Sequence, residues 1–223
     1  MSDDSFIREV DEEIRHDRAK AIWNRFGNLI IAAAVLVVVG TGVFRYWQYS
    51  SEQKAAASGD VFLSAVESSK QGRQDDAIAK LEELSKTGVG DYPALARLRL
   101  AGELIGRGDT AGALKAFDEI SADKSVPEPL RSVATLRGGM VAVDTESYDQ
   151  VKARLTPLSG AGGPYRHLAR EALGLSAMKA GNDQEALNWF QMIADDAGAA
   201  GNVRSRASIM LDLLASRGVK AAG

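Results

Sequence analysis

GNDQEALNWFQMI, residues 181–193, decides how this chain is read, because its pattern occurs three more times upstream. GRQDDAIAKLEEL (72–84), GDTAGALKAFDEI (108–120) and ESYDQVKARLTPL (146–158) align with it without gaps. A small or β-branched residue recurs at Ala77, Ala113, Val151 and Ala186, at separations of 36, 38 and 35. Four positions later stand Leu81, Phe117, Leu155 and Phe190, and three further Leu84, Ile120, Leu158 and Ile193. Positions i, i+4 and i+7 form one stripe on a helix, so each segment reads as a helix burying one face.

Working outward, each segment follows another expected helix of about 15 residues, at roughly 58–71, 92–107, 128–144 and 165–180. Three of the four intervening turns carry glycine at the same place: Gly72, Gly108 and Gly181. Glycine suits the left-handed conformation in which one helix ends and the next folds back. Asp75, Asp109 and Asn182 or Asp183 are the expected N-caps. The third unit has Glu146 in place of the glycine, which predicts a longer or less sharp turn. A period near 35 in paired helices resembles the tetratricopeptide repeat, with Leu173-Gly174, Ala177, Gly181, Ala186 and Phe190 matching best. An ordinary helical bundle is the competing fold. Val203–Arg217 (VRSRASIMLDLLASR) reads as a helix capping the stack, Ser159–Pro164 (SGAGGP) as a loop, and 218–223 as a disordered tail.

Nearer the N-terminus, Phe26–Phe44 (FGNLIIAAAVLVVVGTGVF) contains no charged side chain. As a helix it reaches roughly 28 Å, about the thickness of the bilayer's hydrocarbon core. A cleaved signal peptide is the competing reading. It fits poorly, because the apolar run is long and Arg45, Tyr46, Trp47 and Tyr49 follow before any alanine cluster. Trp23 and Arg25 on one side, and Arg45, Tyr46 and Trp47 on the other, are the expected membrane-interface anchors. Arg8, Arg15, Arg18, Lys20 and Arg25 precede the span, whereas only Arg45 and Lys54 follow within 25 residues. This asymmetry predicts a cytoplasmic tail over 1–25, a transmembrane helix over 26–47 and a periplasmic domain over 48–217. The expected fold class is thus all-α: one transmembrane helix, then an α-solenoid of about four hairpins with a capping helix.

Beyond the span, 21 Lys and Arg face 23 Asp and Glu in the soluble part. Such balance offers no concentrated basic face for nucleic acid. The chain has no cysteine, which excludes disulfides, zinc thiolates and a cysteine nucleophile. SGAGGP lacks the Lys-Ser/Thr ending of a phosphate loop. His167 and Glu171 stand at i, i+4 without a third ligand and read as a solvated helix face. Asp75-Asp76, Glu82-Glu83 and Asp195-Asp196 are adjacent pairs that diverge around a helix and read as exposed surface. No catalytic constellation emerges; no cofactor, metal or small-molecule substrate is expected, and the chain reads as non-enzymatic.

Binding surface remains. The repeat resemblance maps its groove positions onto Phe62, Val66, Leu98, Ile105, Leu136, Met140, Val143, Leu175 and Met178, an apolar set suited to hydrophobic side chains or a partner's amphipathic helix. Coverage by a neighbouring helix is the alternative for these positions. Residues 6–50, with RYW at 45–47, resemble the start of the YfgM-type tetratricopeptide proteins of Gram-negative inner membranes, in their alphaproteobacterial form. That resemblance implies an ancillary subunit of the SecYEG translocon, working beside a membrane-anchored chaperone of the prolyl isomerase type. It implies a scaffold or chaperone-like role toward partners or emerging secreted chains. A periplasmic scaffold for envelope assembly or cell division, unrelated to Sec, is the other expectation.

Overall fold

The computed structural model describes the backbone of residues 3–220 and the side chains of 20, 23, 27–29 and 31–220. The first helix, α1, spans Asp3–Lys70, and the chain divides within it into two compact units, Met1–Lys54 and Ala55–Gly223. In the first unit, one stretch of the described residues is long and apolar enough to cross a membrane. Its valines and leucines, from Leu29 to Val43, are exposed rather than packed in a protein core. Thr41 donates its hydroxyl to Val37 O at 2.7 Å, so the polar group inside this stretch is satisfied by its own helix.

In the second unit the chain alternates between two helix layers. Residues 55–70, α3 (Tyr92–Gly106), α5 (Glu128–Thr145) and α7 (Arg166–Lys179) are the first helices of four hairpins; α2 (Gln74–Thr87), α4 (Thr110–Ala122), α6 (Tyr148–Leu155) and α8 (Asp183–Ala194) are the second. A ninth helix, α9 (Gly201–Ser216), follows. Local chemistry sets these boundaries. Gly72, Gly108 and Gly181 take φ of 76°, 81° and 76°, and the amides that follow donate back to the helix just ended, as Asp109 N does to Leu104 O at 2.9 Å. Asp109 caps α4, accepting from Gly112 N at 2.8 Å. Asp75 does not cap α2; it lies inside the helix and pairs with Arg107 Nη2 at 2.8 Å. Asn182 precedes α8 without a side-chain capping bond.

Hairpins close by seating a large side chain on a small one. Leu81 shares a core with Ala65, Phe117 with Ala101, and Leu155 with Leu136 and Ala142. In the last two hairpins the small residue is glycine. A Cβ on Gly139 would collide with Leu155, and one on Gly174 would meet the Phe190 ring. Phe117, Phe190, Leu81 and Leu155 are fully buried, each contributing about 1.5–3 kcal/mol by leaving water.

Neighbouring hairpins are tied by ion pairs at nearly the repeat spacing. Arg154 meets Asp118 of the preceding hairpin, Lys152 meets Glu185 of the following one, and Arg206 Nη2 meets Glu171 Oε2 at 2.7 Å. The third turn, lacking glycine, is solved differently. Glu146 stays extended (φ −113°, ψ 165°), its carboxylate takes Arg154 Nη2 at 3.1 Å, and Ser147 N donates to Gln150 Oε1 at 3.0 Å at the start of α6. Beyond α9, Gly218 turns at φ 83° and Val219 N donates to Leu214 O, while its side chain packs on the last core cluster.

Candidate partner-binding surface

The first helices of the hairpins have a face turned away from their partners, and its composition follows from the register. In the last two hairpins the residues directly before the seated glycines, Gly138 and Leu173, are buried, and those one place after point out. Met140 and Leu175, each following a buried glycine, are exposed, as is Ile105 on α3. Phe62, Val66, Val143 and Met178 are half-buried, and Phe62, Val143 and Met178 lean on the core clusters.

Leu98 and Leu136 correct the sequence reading. Both are buried, Leu98 in a cluster with Ala134 of α5 and Leu136 in one with Ala169 and Ala172 of α7. Alanine at 134, 169 and 172 lets each following first helix close over the leucine before it. The surface is therefore made of Ile105, Met140 and Leu175 with half-buried shoulders. In the fourth hairpin the position equivalent to Leu98 and Leu136 is Glu171, which meets Arg206 of α9 instead of a leucine. Ile209 and Leu213, one turn apart on α9, correct the sequence reading in the opposite direction: expected to be buried with Ala207, Met210 and Leu214, both are exposed.

Charge on this exposed face of the first helices, called the inner face below, also escaped the sequence reading. Arg137 is exposed on α5, three residues from Met140, and among the described residues it has no hydrogen-bond or ion-pair partner. Most other arginines of these helices are engaged: Arg97 with Asp123 at 2.7 Å, Arg99 with Glu103 at 2.7 Å, Arg166 with Asp196 at 2.7 Å. Asp123, bonded by Ser125 and Arg97, is held down to a pKa of about 2.

The histidine and carboxylate expectations change in the same way. His167 is not on a solvated face; its side chain is 13% exposed and its Nε2 lies 2.8 Å from Asp196 Oδ2. Arg166 Nε and Gly198 N also bond that carboxylate, at 2.7 and 2.9 Å, and Arg170 Nη1 is 3.4 Å away. Arg166 first, then His167 and Gly198, hold Asp196 well below the usual carboxylate range. Arg204 donates to the carbonyls of Asp196, Ala197 and Ala199. The cluster fastens α7, the loop at 195–200 and α9 together, and SGAGGP joins it through Arg170 Nε to Ser159 O at 3.0 Å. These groups are occupied in holding the fold. Among the described residues, no group of three or more His, Cys, Asp and Glu is arranged for a metal ion.

In the first unit, Trp23, Tyr46 and Trp47 are exposed, with the Trp23 ring against Gly27. Arg45 lines a shallow surface depression with Gln48, Tyr49 and Glu52. The Arg25 side chain lies outside the described residues.

A family model described as a tetratricopeptide repeat-like domain matches residues 20–216. The chain belongs to this tetratricopeptide repeat-like family. Among curated proteins, it is 26% identical over 204 residues to the ancillary SecYEG translocon subunit of Escherichia coli (strain K12), covering 90% of this chain and 95% of that protein. The protein of the same name from Haemophilus influenzae (strain ATCC 51907 / DSM 11121 / KW20 / Rd) is 27% identical over 154 residues, covering 68% and 74%. Among solved structures, the MamA RS-1 ArsTM double mutant superposes with a TM-score of 0.54 at 17% identity, over 73% of this chain and 89% of that one. That likeness is one of fold.

Proposed function

We propose that this protein is a membrane-anchored accessory subunit of the SecYEG translocon that works by holding other polypeptides, without catalysing a reaction. The observation that carries the reading is colinearity: similarity to the E. coli ancillary subunit runs over 95% of that protein's length. In this reading the apolar stretch of α1 spans the inner membrane, the basic N-terminal flank stays in the cytoplasm, and the hairpins stand in the periplasm. The inner face of α3, α5 and α7 is the binding surface. A partner of the membrane-anchored prolyl isomerase type and emerging secreted chains are its proposed occupants.

Physical chemistry favours weak, frequent capture. Anchoring beside a channel exit raises the local concentration of the binding surface, so that a few exposed apolar residues suffice without tight affinity. Methionine at 140 adds a side chain that adapts to varied shapes.

A photo-crosslinking amino acid at Ile105, Met140 or Leu175 in living cells tests the proposal. Translocon subunits or secreted precursors in the adducts are the expected result. Adducts restricted to envelope-assembly or division proteins would overturn the Sec placement, and a periplasm-active reporter fused after Gly223 that stays silent would overturn the topology.

A further inference from the structure

From the pairing of charges on the inner helices we infer that the inner face selects apolar segments that carry carboxylates, with Arg137 as the group that reads them. This rests on the proposed binding role of that face. The inner helices α3, α5 and α7 hold seven Lys and Arg against four Asp and Glu, whereas the outer helices α2, α4, α6 and α8 hold five against nine. Residues 55–70, at the edge of the inner layer, add Asp60, Glu67 and Lys70. Most inner cations are engaged within the fold: Arg97 pairs with Asp123, Arg99 with Glu103, Arg166 and Arg170 with Asp196, and Lys179 with Asp144, which leaves Arg131 and Arg137 of α5 as the unpaired ones of α3, α5 and α7 among the described residues.

Arg137 sits at the middle of the inner layer, beside exposed Met140 and on the helix between Ile105 and Leu175. Its guanidinium has no partner among the described residues, so a carboxylate that pairs with it displaces no existing ion pair. Arg131, the other arginine of α5 without such a partner, is half-buried, with its Nε shut off from solvent. At the far end of α5, Lys179 Nζ is already engaged, 3.9 Å from Asp144 Oδ1 and bonded to the carbonyls of Val143 and Asp144, so Arg137 is the cation on this face left for an acidic group. The occupant is an amphipathic segment whose apolar residues cover Met140 and Leu175 and whose acidic flank faces Arg137.

The test uses the full-length protein in nanodiscs of zwitterionic lipid, with empty nanodiscs as the blank. Two fluorescent amphipathic helical peptides serve as probes, identical in their leucines and differing only in glutamate or lysine at the flanking positions. Anisotropy should show tighter binding of the glutamate peptide, by about two- to fivefold, with a difference that shrinks as salt rises. R137E should reverse the preference, and M140A should weaken both peptides alike. Equal binding of the two peptides, no binding of the glutamate peptide, or a preference that survives R137E overturns the inference. Crosslinks from Met140 to translocon subunits judge the Sec reading separately, and they stand or fall whichever peptide is preferred.

Discussion

Phe190 lies across Gly174, so that a Cβ placed on the glycine would stand 2.7 Å from the ring's Cζ. Neither atom can move far, because Phe190 is fully buried between α7, α8 and α9. Gly174→Ala should therefore lower stability by about 1–3 kcal/mol, the range for overpacking a tight core. Phe190→Ala, which empties the same contact, should cost about 3–5 kcal/mol. Denaturant titration of the two variants checks both, and wild-type midpoints would contradict the seating.

Glycines outside such contacts behave in opposite directions. Gly102 is helical, in α3, with nothing within 4 Å of an added Cβ, so Gly102→Ala should stabilise by about 0.5–1 kcal/mol. Gly181 has equal space but sits at φ 76°, and Gly181→Ala should destabilise by about 1–2 kcal/mol. Thermal melts of the two alanine variants should move apart.

Arg154 replaces what the third turn lacks. With a side chain 17% exposed, it holds Asp118 of the hairpin before and Glu146 of its own turn. Arg154→Met should lower stability by about 1–2 kcal/mol, since two carboxylates lose their partner. In a Glu146→Gln background the same change should cost less, and a double-mutant cycle reads the difference. Additive effects would place the turn's stability elsewhere.

Asp196 makes the fastening of α9 acid-sensitive in a definite direction. Its folded-state pKa is depressed, so its contribution is complete above the unfolded-state pKa of about 3.9 and declines as pH falls below that value. Asp196→Asn should therefore be less stable than wild type at pH 7, with the gap closing as pH drops from about 4 toward 2. Hydrogen exchange in α9 measured at both pH values follows this, and a pH-independent gap would refute the assignment.

Periodicity carried most of the fold into view, because a seated pair such as Phe190 on Gly174 demands the same residue types at every turn of the stack. Helix ends at Gly72, Gly108 and Gly181 were readable for the same reason: only a backbone with positive φ reverses the chain so tightly. Glu146 was less legible, since its turn depends on Arg154, whose partner Asp118 belongs to another hairpin. The surface was read in part. Met140 and Leu175, mapped from the repeat resemblance, are exposed, but the burial of Leu98 and Leu136 depends on alanines one hairpin further on. Arg137 carries no sequence signal at all. What distinguishes it is the partner it lacks, and only coordinates display that.

From α3 to α9 each helix packs chiefly on those just before and after it in sequence. A chain delivered from its N-terminus can consequently complete each hairpin against one already formed, without waiting for distant segments, and so exposes little unpaired surface while it is being made.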